Sequence, residues 1–350
     1  MQVLYRKYRP RTFNEVEGQE HVLRTLEGAI LSDRIGHAYL FAGPRGTGKT
    51  TMARLFAKAL NCSKRKSHNP CNSCPTCNEI NENKFIDLIE IDAASNRGID
   101  EIRNIKESAQ VSSAYGSWKI FIIDEVHMLT PQAFNALLKV LEEPPSKVVF
   151  ILATTEPHKV MDTILSRVQR FDFRKLTGEQ VRTKLASIAG KENISIDADS
   201  IGAIARASLG SLRDAENSLA MLSSYTSGKI SIRDTIEILG IVPEKINEEM
   251  LAVLAKGKTA EAVKIINEVN ESGLDLNNFA SQFIGHLRMK LISSFDNGQS
   301  GYTEASPKFL AEAIKLFIKA KSELRSSPLP QMPLELAVIE LGEKNKTMGA

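Results

Sequence analysis

A three-layer α/β domain built on a mostly parallel sheet, followed by an all-helical remainder, is the fold class this sequence predicts. Two observations carry it. In the first half, short apolar runs at residues 38–42, 88–91, 120–123 and 148–152 alternate with helical patterns. Continuous apolar character marks strands covered on both faces, as in a parallel sheet. Beyond Phe173 the strand signal fades, and apolar stripes at helical spacing take over. A chain of 350 residues has room for about two or three such domains.

The elements follow in order. The run at 38–42 is a buried strand that ends in Gly43-Pro44-Arg45-Gly46-Thr47-Gly48-Lys49-Thr50. This string meets the pattern G-x-x-x-x-G-K-[ST] at every fixed position, so its backbone N–H groups are expected to cradle a triphosphate. Lys49 would reach the β- and γ-phosphates, and the Thr50 hydroxyl would ligate Mg²⁺. Met52, Leu55, Phe56 and Ala59 recur at helical spacing behind the loop, which sets a helix N-terminus against the anion. Next come the four cysteines, Cys62, Cys71, Cys74 and Cys77. Their spacing suits a closed tetrahedral Zn²⁺ site. Disulfides lack the support of a secretion signal. Iron–sulfur ligation also uses overlapping C-x-x-C steps, but nothing else in the chain suggests electron transfer. Zinc is the expectation, with His68 a bystander.

The strand at 120–123 ends in Asp124 and Glu125, about 75 residues after Lys49. Adjacent strand residues point to opposite sides, so the two carboxylates divide the work. Asp124 is expected to hold Mg²⁺ and Glu125 to polarise the attacking water. A helix then starts with Thr130 as N-cap and Pro131 at its first position, buries Phe134, Leu137, Leu138 and Leu141, and stops at Pro144 and Pro145. Thr154 and Thr155 follow the last apolar run, and Thr155 is the favoured contact to the γ-phosphate or the water. Arg167 and Arg213 are candidate phosphate-sensing cations, since a planar guanidinium matches phosphate oxygens.

Gly190 and Gly210 are expected to punctuate short helices between about 176 and 240, and Pro243 opens a second helical region. There Ile265, Ile266 and Val269 form one stripe, and Phe279, Phe283, Ile284, Leu287 and Leu291 another. A proline-rich run at 327–333 precedes a last apolar segment.

Composition excludes rather than selects. At 42% apolar and 25% charged the chain is an ordinary globular one, and its net charge of +3 does not argue for nucleic acid. No apolar run approaches the length of a membrane span. The first ten residues hold no signal-peptide core, so a cytoplasmic location is expected.

Taken together these residues resemble one family, the gamma/tau subunits of bacterial DNA polymerase III, the ATPase of the sliding-clamp loader. The resemblance begins at Leu4-Tyr5-Arg6-Lys7-Tyr8-Arg9-Pro10 with Phe13, Gly18 and Gln19. It runs through the phosphate loop, the cysteines, Ile91-Asp92-Ala93-Ala94-Ser95 and Ile123-Asp124-Glu125-Val126-His127-Met128-Leu129. Leu141-Glu142-Glu143-Pro144-Pro145 and Ala153-Thr154-Thr155-Glu156 continue it, and Gly210-Ser211-Leu212-Arg213-Asp214-Ala215 ends it. The resemblance implies an AAA+ P-loop NTPase using ATP, Mg²⁺ and Zn²⁺. It further implies a five-stranded nucleotide-binding domain over 1–175 with a zinc insertion at 62–77, a helical lid over 176–242 and a helical collar over 243–350. It makes Thr155 the first sensor, Arg213 the lid's sensor and Arg167 a finger acting on a neighbouring subunit's ATP. Implied partners are delta- and delta-prime-type subunits and copies of itself in a pentamer, the sliding clamp and primer-template DNA. One departure stands out: the family's usual Ser-Arg-Cys reads Ser166-Arg167-Val168 here, which keeps the arginine and alters only its packing.

Overall fold

The computed structural model describes residues 3–225, 228–296 and 305–348. The chain divides into two compact units, one of Met1–Ile194 with Ser208–Met221, the other of Ser195–Ala207 with Leu222–Ala350.

The first unit is built on five parallel strands: β1 (Ala38–Ala42), β2 (Leu88–Asp92), β3 (Lys119–Asp124), β4 (Val148–Thr154) and β5 (Gln169–Asp172), in the spatial order β2-β3-β4-β1-β5. Every residue of β1 and β4 is buried, as strands covered on both faces require. Side chains alternate between two cores. Tyr39, Phe41, Ile120, Ile122, Val149 and Ile151 pack against the helices Glu20–Leu31 and Lys49–Asn61. Leu40, Phe121, Ile123, Phe150 and Leu152 meet Ile99–Gln110 and Pro131–Glu142 on the other face. Fully burying one such Leu, Ile or Phe side chain is worth about 1.5–3 kcal/mol, so two such layers fix which strand ends lie side by side.

That placement makes the site. Ala42 lies in register with Thr154, and Asp92 with Asp124. With β4 between β1 and β3, the phosphate loop, the two carboxylates and the two threonines emerge at neighbouring strand ends, where α/β sheets bind ligands. The helix Pro131–Glu142 starts as its sequence predicts: Thr130 Oγ1 accepts from the Ala133 N–H at 3.3 Å. The helix Gly178–Glu192 carries Gly190 inside it and closes on Asn193, whose left-handed φ of 55° ends the helix. Asparagine tolerates that conformation at a C-terminus, so the break falls three residues later than Gly190 suggested.

Apart from an isolated β-bridge between Ile196 and Ile230, the second unit is helical in the regular structure of its described residues. Its core gathers around Phe279, Phe283 and Phe317, all fully buried, with Phe283 and Phe317 edge to face at 4.8 Å. Ile266, Val269, Leu287 and Val338 complete it from the helices Thr259–Glu271, Leu276–Asp296 and Met332–Met348. Among the described residues, no helix is long and apolar enough to cross a membrane.

Candidate nucleotide-hydrolysis site

The phosphate loop reverses direction through positive φ at Gly43 (150°), Gly46 (77°) and Gly48 (98°). A side chain at Gly43 would collide with the Phe173 carbonyl, and one at Gly46 with the Ser211 hydroxyl. Glycine at these two positions therefore lets the loop lie against β5 and the start of the helix Leu212–Tyr225. Gly46 O accepts from the Leu212 N–H at 3.2 Å, and the Gly43 N–H donates to Thr154 O at 3.1 Å. Thr47 Oγ1 closes the loop by donating to Pro44 O at 2.8 Å.

Lys49 is buried, with Nζ donating to Gly43 O at 2.7 Å and Pro44 O at 3.0 Å. Burial holds its pKa below the ordinary lysine value, against the opposing pull of Glu125 and Asp124. Thr50 Oγ1 donates to Asp124 Oδ2 at 2.7 Å, so the two candidate Mg²⁺ ligands are already adjacent. Asp124 Oδ1 accepts from the Glu125 N–H at 3.0 Å. Glu125 has a left-handed φ of 47°, unusual for a non-glycine residue, which turns it off the line of β3. Its Oε2 accepts from both the N–H (3.1 Å) and the hydroxyl (2.9 Å) of Thr155.

Adjacent threonines thus do different work. Thr155 holds Glu125, whereas Thr154 is fully buried and turns its hydroxyl to His127 Nδ1 at 2.9 Å. The guanidinium of Arg213 stacks over the Tyr5 ring at 4.7 Å, a cation–π contact that keeps it beside the N-terminal segment. Arg167 stands apart from these residues. Its guanidinium donates to Glu142 at 2.8 Å, Thr163 O at 2.7 Å and Ser166 Oγ at 3.0 Å. With Arg167 and Glu142 side chains 34% and 50% exposed, that ion pair is weak and readily exchanged.

Two residues in the resemblance strings take roles the sequence did not reveal. Gln19 is fully buried: its amide donates to Arg174 O at 2.7 Å and to Thr47 O at 3.5 Å, and its carbonyl accepts from the Arg174 N–H at 3.1 Å. It ties the phosphate loop to the segment after β5. His127 is the other. His127 stands between apolar Val126 and Met128, a local signal that Gln19, between Gly18 and Glu20, lacks; only partners far along the chain give either residue its role.

The four cysteines are free thiols whose sulfurs lie within 4.8 Å of one another. The separations of 4.0 Å for Cys62–Cys74 and Cys71–Cys77 are twice a disulfide bond and close to the ~3.8 Å edge of a zinc–thiolate tetrahedron. Backbone N–H groups of Cys71 and Cys74 point at Cys62 and Cys71 sulfurs at 3.2 and 3.3 Å. Cys71 is pushed down to about 5 by its hydrogen bonds from Ser73. The donor set and spacing fit a soft, tetrahedral cation. The cysteine loop also clasps the N-terminal segment: Asn69 accepts from the Phe13 N–H at 2.9 Å, and Asn72 donates to Arg11 O at 3.1 Å.

Comparisons with known proteins identify the family. Residues 18–177 match a family described as DNA polymerase III, delta subunit, and residues 180–220 match the DNA polymerase III clamp loader subunit, ATPase lid domain. DNA polymerase III subunit tau of Bacillus subtilis is 38% identical over 97% of this chain and 63% of its own length. The Escherichia coli subunit tau is 41% identical over 82% of this chain and 44% of its own. The Mycoplasma genitalium gamma/tau subunit is 38% identical over 95% and 57%. The chain thus spans about half the length of these curated relatives. The Thermotoga maritima RuvB Holliday junction branch migration motor superposes with a TM-score of 0.50 over 71% of this chain and 79% of its own, at 19% identity. That likeness speaks for the AAA+ fold alone. By sequence along nearly its whole length, and by its matched lid, the chain belongs to the family of DNA polymerase III tau and gamma/tau subunits.

Proposed function

We propose that this chain is the ATP-hydrolysing motor subunit of a bacterial DNA polymerase III clamp loader, which opens the sliding clamp and loads it on primed DNA. The observation that carries this reading is the convergence of Lys49, Thr50, Asp124, Glu125 and Thr155 at adjacent strand ends, each linked to another by a hydrogen bond or by charge. Residues 43–50 bind the triphosphate through backbone N–H groups, and Lys49 turns from its own carbonyls to the β/γ-phosphates. Mg²⁺, held by Thr50 and Asp124, would neutralise charge on the phosphate oxygens. Glu125 takes a proton from the attacking water. A non-catalytic scaffold would not need this set intact. The family reading also supplies the partners: delta- and delta-prime-type subunits and further copies of this chain in a pentamer, with the clamp and primer-template DNA. On this reading the chain comprises a nucleotide domain (1–175), a lid (176–242) and a collar (243–350), and works in the cytoplasm. ATP turnover with and without the other loader subunits, clamp and primed DNA is the test. Stimulation by the full set is expected. Turnover indifferent to clamp and DNA, or a homohexamer that translocates on DNA, would refute the reading.

On the family reading Arg167 is assigned to the ATP of a neighbouring subunit; its exposed bonds to Glu142, Ser166 and Thr163 O leave it able to exchange partners. Arg167→Ala should leave its own subunit's ATP affinity nearly intact and slow stimulated hydrolysis next door by about a thousandfold or more. Arg213→Ala should instead impair the subunit carrying it. Loaders of defined order that mix Arg167→Ala with Lys49→Ala chains distinguish the two. Activity that depends only on whether both changes share a chain would make Arg167 a structural ion-pair residue.

Cys62, Cys71, Cys74 and Cys77 are assigned one structural Zn²⁺ per chain. Because binding energy at such a site is folding energy, Cys74→Ser should lose the metal and loosen residues 62–77 first. Residues 11–13 follow, since Asn69 and Asn72 hold them. Elemental analysis with hydrogen exchange checks this. Full metal content in the variant, or an iron–sulfur absorption spectrum in the parent, would remove the assignment.

A further inference from the structure

One buried ring beside the phosphate loop has no part in the roles above. The His127 side chain is only 5% exposed and lies in a single turn of 3-10 helix, Val126–Met128, directly after Glu125. It faces three groups. Nδ1 lies 2.9 Å from Thr154 Oγ1 and 3.4 Å from Glu125 Oε2, and Nε2 lies 3.3 Å from Glu156 Oε1. Thr154 is anchored independently of the ring: it is fully buried and its Oγ1 accepts from the Glu156 N–H at 3.0 Å. Glu156 pairs with Lys159 at 2.8 Å.

Glu125 is the carboxylate that the ring shares with Thr155. Its side chain is 30% exposed, and a glutamate loses up to about 2 kcal/mol of rotamer freedom when fixed. Thr155 holds one carboxylate oxygen, and the His127 edge meets that same oxygen from a separate element. We infer that His127 is a positioning residue for Glu125: seated by Thr154 and Glu156, the ring sets the direction in which the Glu125 carboxylate points. The inference rests on the reading of Glu125 as the base that activates water.

The polar edge is divided between its two nitrogens, which makes the inference testable by shape. Asparagine puts a polar atom about where Nδ1 sits, glutamine about where Nε2 sits, and phenylalanine fills the ring volume with neither. The experiment measures ATP affinity, turnover at saturating ATP and thermal stability for the full chain assembled with the other loader subunits, clamp and primed DNA. His127→Phe is expected to lower turnover about tenfold to a hundredfold, as a displacement of about 1 Å at a catalytic group does, with ATP affinity within about twofold of the parent. His127→Asn should recover most of the loss and His127→Gln little of it. Thr154→Val, which removes the ring's anchor, should lower turnover too and add little to His127→Phe, because the two act through one contact. Unchanged turnover in His127→Phe overturns the inference. So does a parallel loss of affinity, turnover and stability with no recovery in His127→Asn, which would make the ring a packing residue. A parent assembly that hydrolyses no ATP would instead refute the motor reading, whatever His127 does.

Discussion

Glu125→Gln is expected to bind ATP as the parent does and to hydrolyse it about a hundredfold to ten-thousandfold more slowly, the usual contribution of a positioned general base. The geometry explains why binding survives. The two Thr155 donors meet a single carboxylate oxygen, Oε2, at 3.1 and 2.9 Å. A glutamine carbonyl can accept both, so the side chain keeps its place and loses only its basicity. Asp124 and Thr50 keep their own bond at 2.7 Å and remain available to Mg²⁺. The assembled loader should therefore stall with ATP bound and the clamp engaged. Calorimetric affinity and single-turnover hydrolysis measure the two halves separately. Undiminished hydrolysis would remove Glu125 from the mechanism, and lost ATP affinity would show that its charge, rather than its basicity, serves the site.

Lys49→Ala should fail one step earlier. Lys49 is buried with Nζ on two loop carbonyls, and it is the side-chain cation that the phosphate-loop pattern aims at the β/γ-phosphates. Truncating one partner of a buried charge pair costs about 2–5 kcal/mol, or about thirtyfold to a few thousandfold in affinity. The fold should tolerate the change. Burial already disfavours the charged lysine and depresses its pKa, so removing it relieves a desolvation cost while leaving two loop carbonyls without that donor. Titration with ATP, alongside thermal unfolding, checks both statements. ATP affinity within a few-fold of the parent would refute the role assigned to Lys49.

Where chemistry demands a fixed local spacing, the amino-acid sequence by itself determined the outcome. Gly43 to Thr50 must turn and bind within one loop, and Asp124 and Glu125 must end one buried strand. The four cysteines, Cys62 to Cys77, fall within sixteen positions, close enough for their sulfurs to meet. Each is a short-range constraint, legible because neighbouring residues alone meet it. The alternation of apolar runs also decided that β1 to β4 lie in a sheet covered on both faces. Only the tertiary structure decided which of two identical threonines holds Glu125, since Thr154 and Thr155 differ solely in which face of β4's end each one meets. It alone brought Arg213 to Tyr5, Gln19 to Arg174 and His127 to Thr154 and Glu156. Those partners lie tens to hundreds of residues apart in the chain. Their pairing follows from strand order and helix packing, which depend on the burial of whole faces, and no local pattern of residue types encodes it.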